Sequence, residues 1–445
     1  MPESAVMTAE PRILRTQAEK DLLDLWRRKP ERADSAAIAT LRDAAIARFD
    51  KAGLPHRRVE EYKYTDLRAL LKTVPALAGR ASADAARTAV SPAAEGEVRL
   101  VFVDGHFEPA LSGALPKGVT VESLANLLPH GHTLGDRLGL SATAMQDPLV
   151  GLNTAFMRDG VVIRVAARTK VAERIAIEHV ATGAHAAFLR HAVAVEDLAE
   201  VTIVERYRGP ADAASHVNAV VELTIGDGAT VHWVKLQTEG LAAAHFSTLV
   251  VDLSEKAELD HFALGAGAAV ARAQVFARFS GEHATLSTRA ATLLEGRRHA
   301  DATLVVDHAV PHGTSRELYR AVIDGEAKSV FQGKIVVRQH AQKTDGKMAS
   351  NAVLLTDAAE AMNKPELEIF ADDVVCAHGA TAGELDERLK FYLMSRGIPA
   401  AEAETLLIMA FLGEAVDTIA DEALRDQVTA EIEAWLERRA AAKAA

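Results

Sequence analysis

The residues best placed to do chemistry are a thiol and an imidazole two positions apart. Cys376 and His378 stand in the run Ala371-Asp-Asp-Val-Val-Cys-Ala-His-Gly-Ala-Thr-Ala-Gly, and Cys376 is the only cysteine in the 445-residue chain. If residues 366–377 are extended, successive side chains alternate between faces, so Cys376 and His378 share one face while Ala377 takes the other. Their backbones then stand roughly 6–7 Å apart, at about 3.3 Å rise per residue. A soft sulfur and a borderline nitrogen on one wall suit a transition metal. The structural alternative makes Cys376 a small buried hydrophobe and His378 a hydrogen-bonded turn residue.

Signals for catalysis are sparse. The chain has no G-x-x-x-x-G-K-[ST], G-x-S-x-G or H-E-x-x-H motif. Asp372 and Asp373 look like paired carboxylates, but strand neighbours point to opposite faces, and a turn cap is the expected role of one of them. His299, His308, His312 and His340 approach His378 in sequence, and each is expected at the surface. Lys343-Thr344-Asp345 reads as either a polar network or a turn. The chain is therefore not expected to be an enzyme.

Composition bounds the setting. Apolar residues make up 49% of the chain and the net charge is −12, which indicates a globular protein without a nucleic-acid or anionic-membrane surface. No run approaches the roughly 18 apolar residues of a membrane span. Met1-Pro-Glu-Ser is followed by charge rather than an apolar segment, so no secretory leader is expected. A single thiol excludes an internal disulfide framework and fits a reducing, cytoplasmic setting.

The elements that must position the pair divide the chain. Residues 1–95 read as an N-terminal helical domain, with apolar stripes over 16–28 and 33–51 and Gly53 placed to end the second helix. The segment Glu60-Glu-Tyr-Lys-Tyr-Thr reads as amphipathic packing. Residues 96–150 form a small mixed cap segment with a strand over 97–103 and a turn at Asp104-Gly105. Over 151–378, period-two alternation of Val, Ile, Thr and Leu takes over, as in Val161-Ile163-Val165 and Val221-Leu223-Ile225.

A small turn followed by Ala-x-apolar recurs at Ala199, Ala229, Ala257, Ala284 and Ala302, spaced roughly 18 to 30 residues apart. That interval favours stacked coils over a sandwich, and so a right-handed parallel β-helix. Residues 379–445 read as a C-terminal helical domain. The helices on either side are expected to cap the open ends of the coil stack. Leu406-Leu-Ile-Met-Ala-Phe-Leu is apolar nearly all round, so it is either fully buried or shared with a partner. The tail from Arg438 is expected to fray. A β-helix polysaccharide lyase is the rival enzyme class, but it needs convergent acids and aromatic platforms, and aromatics are 5% of this chain.

The Cys-x-His run, with Phe391-Tyr-Leu-Met-Ser-Arg-Gly-Ile, resembles the SufD family of iron–sulfur cluster assembly scaffolds. Phe331-Gln-Gly-Lys-Ile, Ala341-Gln-Lys-Thr-Asp and Arg57-Arg-Val-Glu-Glu-Tyr-Lys-Tyr-Thr-Asp extend the likeness across nearly the whole chain. Tyr62 stands where the family often has Trp, and Val375 where Lys usually precedes the cysteine. The resemblance implies the same mainly β fold, flanked by helical domains. It implies a complex with SufB, a homologous β-helix protein, through the end carrying Cys376 and His378. A transient iron–sulfur cluster would form at that interface, its cysteine ligands coming largely from SufB. It also implies docking of SufC, an ABC-type ATPase, on the C-terminal helices, where Leu406, Leu407, Met409, Phe411 and Leu412 are the expected contacts. The isolated chain could pair with itself through the same edge. The alternative is an interaction scaffold with no metal role.

Overall fold

The computed structural model describes residues 14–28, 34–130 and 142–444. The leader expectation at Met1-Pro-Glu-Ser lies outside these residues, as does Ala33. Two long sheets face each other along a β-solenoid of about eight turns. One runs in the order Val375–Glu384, Asp345–Leu354, Thr314–Ile323, Thr285–Leu294, Glu258–Gly265, Thr230–Gln237, Glu200–Arg208, Arg174–Val180, Glu97–Val103 and His106–Phe107. The other begins at Glu360–Ile369 and passes through Lys328–Val337, His299–His308, Val270–Phe279, Ala244–Leu253, His216–Ile225, Ala186–Val195 and Val161–Val165 to Val119–Ser123. Pairing is parallel and in register along the stack. It turns antiparallel only at the N-terminal end, where Asp104 and Gly105, both at positive φ, close the hairpin between Glu97–Val103 and His106–Phe107. The segment expected as a separate cap thus supplies strands to both sheets.

The coil repeat explains the alanine phrase. Ala199, Ala229, Ala257 and Ala284 are buried at successive corners, where a larger side chain would push the stacked turns apart. Ala302 differs: it lies inside the strand His299–His308, so its shorter spacing is not a coil step. Inward residues of both sheets, among them Val193, Val221, Leu249, Val275 and Leu304 from one and Val201, Val231, Leu259 and Leu286 from the other, form one continuous core.

The helices do not cap the ends. Both sheets are apolar on their outer faces as well, and that surface must also be covered. The helices Gln17–Arg27 and Ala36–Ala52, with Tyr62 and Leu67, pack on Phe188, Phe246 and Val270 outside the nine-stranded sheet. Ala400–Val416 and Glu422–Ala444 pack on Val204, Val234, Leu264 and Val322 outside the ten-stranded sheet. The expected frayed tail is helical through Ala444, and Arg439 is buried against Asp324 and Glu404. The Glu60–Thr65 segment packs as expected. Tyr62 is buried, donates to Asp147 at 2.9 Å and lies beneath the Arg272 guanidinium, which pairs with Asp301.

The interior also holds polar groups that alternation alone would make apolar. Lys235 bonds His245 at 2.8 Å, His245 bonds Glu239 at 2.6 Å, and Trp233 donates to Glu205. Burial holds the Lys235 and His245 pKa values below their ordinary levels. Nearer the C-terminal end, Glu317 occupies an inward column that runs Thr288, Glu317, Met348, His378 from coil to coil. Burial pushes its carboxyl up from 4.5 to about 8, against smaller pulls from Ser315 and Arg316.

An unfolded chain ionises Glu317 at its ordinary value while the folded chain retains the proton. Unfolding therefore releases a proton between about pH 4.5 and 8, and the residue's contribution to stability falls as pH rises through that window. Glu317→Gln should match the parent near pH 4 and exceed its unfolding free energy near pH 8, by on the order of 2 kcal/mol. Guanidinium titrations at both pH values check this. Equal pH dependence in the two proteins would show that Glu317 ionises normally.

Candidate functional site

The site is the last coil. Among the described residues Glu360–Ile369 pairs on one side only, with Lys328–Val337, and Val375–Glu384 on one side only, with Asp345–Leu354. The terminal strand continues six residues beyond His378 before Asp386 caps the helix Glu387–Ser395 through its side chain. Asp372 and Asp373 sit in the turn before this strand rather than on a strand, so the opposite-face argument does not govern them. Asp373 pairs with Lys343, whose N–H donates to the Asp373 carbonyl at 2.7 Å. Thr344 donates to Ala341, and Asp345 pairs with Arg316 at 2.6 Å. Lys343-Thr344-Asp345 is thus both a turn and a polar network.

Cys376 and His378 share a face, as their spacing requires. Cys376 lies opposite Gly346 and His378 opposite Met348, whose side chain belongs to the interior core. Both therefore stand on the inward column, but at the end of the stack no further coil covers them among the described residues. Cys376 is half-buried against the core edge with Val374 and Leu367, and His378 is exposed. Partial burial raises the Cys376 pKa, only partly offset by the Gly346 N–H, and the nearby carboxylates Asp345 and Glu317 raise it further. The thiol is thus not activated by its own chain.

Among the described residues, Cys376 and His378 belong to no cluster of three converging His, Cys, Asp or Glu donors. The rim supplies two donors where a cluster takes about four.

The two edge strands differ in kind. Glu360–Ile369 carries Pro365, and ion pairs tie it down: Lys364 with Glu60 at 2.6 Å, Lys328 with Glu360 and Lys334 with Glu368 at 2.8 Å each. Charges and proline are the usual means of blocking an edge. Val375–Glu384 reads Val-Cys-Ala-His-Gly-Ala-Thr-Ala-Gly-Glu, with no proline and no Lys, Arg, Asp or Glu before Glu384. Every residue on it except Cys376 is exposed. Ile369, Phe370 and Val375, at 41%, 59% and 61% exposure, add an apolar rim beside it. An open ten-residue edge, uncharged as far as Glu384, is a template for another strand.

A second surface lies on the C-terminal helices. Of the expected contacts, Leu406 is exposed, while Leu407, Met409 and Phe411 are half-buried, with Phe411 under the Arg320 guanidinium. Leu412 departs from the expectation: it is 1% exposed and packs with Ile408, Ala415 and Val416 in the chain's own core. The larger patch is on Glu387–Ser395, none of whose residues is buried. Leu389, Phe391, Tyr392 and Met394 project from it at 44% to 72% exposure. A helical stripe in sequence marks an apolar face, but not whether the chain itself or a partner covers it.

The histidines split. His312 and His340 are exposed as expected, but His299 and His308 are buried, His299 against Thr65 at 3.0 Å and His308 against Ser315 at 3.0 Å. His299 is covered by the N-terminal helical segment and His308 faces the next strand, neither of which a local window reveals. Glu317 beneath the rim was missed too; its signal was a charged residue in the inward phase of Ser315-Arg-Glu-Leu-Tyr319.

Comparison with known proteins places this arrangement. The model of the SUF system FeS cluster assembly SufBD core domain matches residues 178–411, and that of the SufBD protein N-terminal region matches residues 16–177. The chain is 32% identical over 388 residues to the iron–sulfur cluster assembly protein SufD of Escherichia coli, covering 86% of this chain and 89% of that protein. It is 32% identical over 404 residues to an iron–sulfur cluster assembly SufBD family protein of Synechocystis, covering 87% and 88%. To the iron–sulfur cluster assembly protein SufD of Bacillus subtilis it is 26% identical over 290 residues, covering 64% and 66%.

Proposed function

The chain belongs to the SufBD family of iron–sulfur cluster assembly proteins, and from that premise we propose that it is a non-catalytic scaffold subunit of a SufBCD-type complex. It pairs with a SufB-like β-helix through the strand Val375–Glu384 and docks a SufC-like ABC-type ATPase on its C-terminal helices. The observation that carries this reading is the open edge strand, uncharged before Glu384, that holds Cys376 and His378 as two donors of an incomplete set. A second β-helix adding its own terminal strand satisfies the unpaired N–H and C=O groups and brings further thiolates to the same line. The iron–sulfur cluster is the cargo built there. His378 offers a nitrogen donor at the exposed face, and Cys376 a thiol whose proton leaves when the metal arrives.

The exposed Leu389, Phe391, Tyr392, Met394 and Leu406 support the ATPase dock, because one chain's core leaves them uncovered. ATP hydrolysis is then the partner's reaction, reaching this chain as movement of its C-terminal helices. Among the described residues no helix is long and apolar enough to cross a membrane, and the working compartment we propose is the cytoplasm, where thiols stay reduced.

In the complex reconstituted anaerobically with both partners, His378→Ala should leave the far-ultraviolet spectrum unchanged and abolish the cluster's visible absorption. Unchanged cluster yield would remove His378 from the site. Cys376→Ser separates ligand from packing: a shifted charge-transfer spectrum with iron retained marks a ligand, and an unaltered one marks a filler.

Co-purification tests the two surfaces separately. Ala382→Lys places a charge on the open edge and should release the β-helix partner, and any self-paired form, while the ATPase stays bound. Phe391→Glu should do the reverse. Retention of both partners by both variants would leave only a scaffold with other interfaces.

A further inference from the structure

We propose that Glu282, His283 and His312 form a divalent transition-metal site on an outer corner of the solenoid, separate from the Cys376 and His378 rim. The corner is built by the coil repeat. Leu198, Gly228, Lys256, His283, His312 and Lys343 each take a left-handed backbone, with φ between 55° and 63°, at the turn leading into a strand of the ten-stranded sheet. Backbone hydrogen bonds tie one corner to the next, from Gly228 to Glu255, Lys256 to Glu282, His312 to Gln342 and Lys343 to Asp373, at 2.7–2.9 Å. Side chains at this position therefore stand one above another. In two consecutive coils they are imidazoles, stacked with centroids 4.5 Å apart and ring planes 15° apart.

Glu282 precedes His283 and completes the set. One donor atom from each of the three residues lies within 4.8 Å of the others, and no second such group of three occurs among the described residues. Two imidazoles and one carboxylate suit Zn²⁺, Fe²⁺, Co²⁺ or Ni²⁺, whereas Mg²⁺ and Ca²⁺ prefer oxygen donors alone. The flanking corner cations are already engaged, Lys256 with Glu255 at 2.7 Å and Lys343 with Asp373. Parallel rings point their lone pairs side by side, so a shared ion requires each ring to turn, and all three side chains are exposed and free to do so. Three protein donors leave further coordination positions open, which makes the ion exchangeable. Asp373, three residues before Cys376, is two coils from His312 on the same ladder, roughly 10 Å along the axis at about 4.8 Å per coil. A metal ion held here stands beside the assembly rim, yet the site does not depend on the rim's role.

The test uses the full chain and Zn²⁺ alone, followed by isothermal titration calorimetry. The background is Cys376→Ser with His378→Ala, so that rim donors contribute nothing. This background should bind one Zn²⁺. Adding His283→Asn and His312→Asn, which keep a residue type that tolerates left-handed backbone, should weaken binding at least tenfold, and Glu282→Gln should weaken it to a smaller degree. Equal affinity before and after the histidine changes, or no stoichiometric binding in the background, overturns the proposal. A second measurement avoids corner variants. In histidine-labelled protein carrying only the rim changes, Co²⁺ should broaden the imidazole signals of His283 and His312 first. Earlier broadening of any other histidine overturns the assignment.

Discussion

A parallel ladder satisfies each strand only through its two neighbours, and among the described residues the last coil of this solenoid has only one. From Glu97–Val103 to Asp345–Leu354 every strand of the ten-stranded sheet is bonded on both sides. At Val375–Glu384 the inward column still carries side chains, but its outer row of N–H and C=O groups has no partner among the described residues. Burying that row unpaired would cost a hydrogen bond's worth of desolvation per group. Leaving it in water keeps it available to another chain. Cys376 and His378 are fixed on the same strand by the same pleat, so the unpaired backbone row and the thiol and imidazole stand in one place.

The helices sharpen this. A coil stack with polar outer faces would leave its helices free to close its ends. Here Phe188 and Phe246 on one flank, and Val204, Val234 and Val322 on the other, make both outer faces apolar, and the helices lie along them. Ion pairs then fasten them in place, Arg174 with Asp421 and Arg439 with Asp324 on one side, and the buried group of Tyr62, Arg272 and Asp301 on the other. Breaking a buried pair such as Arg272–Asp301 leaves an uncompensated charge, which is far more costly than losing a surface pair. The flanks are held firmly, while the end remains open.

Much of the solenoid was legible in the sequence because the coil repeat is local. Val161-Ile163-Val165 and Glu97 to Val103 announce strands in their own composition, and the corner alanines recur every 27–30 residues from Ala199 to Ala284. The shared face of Cys376 and His378 follows from the period of two. What could not be read is where the second layer lands. Whether an apolar helical stripe covers the chain's own sheet, like Leu412, or faces outward, like Phe391, depends on contacts between elements hundreds of residues apart. His299 looked like a surface histidine because Thr65, which buries it, is 234 positions away. Glu317 looked like one of many charged strand residues until register placed it on the inward column beneath Met348 and His378.

The unequal edges of the last coil explain why openness need not mean aggregation. If both terminal strands were bare, any solenoid could stack end on end without limit, because a parallel ladder that can accept one coil can accept the next. Pro365 and the ion pairs of Lys328, Lys334 and Lys364 close the Glu360–Ile369 edge to such stacking. Val375–Glu384 carries no such guard before Glu384, so the two sheets end in unlike edges. A strand added to this coil would meet a single open edge, the one that carries Cys376 and His378. One guarded edge and one open edge thus confine the general stickiness of β-structure to a single strand.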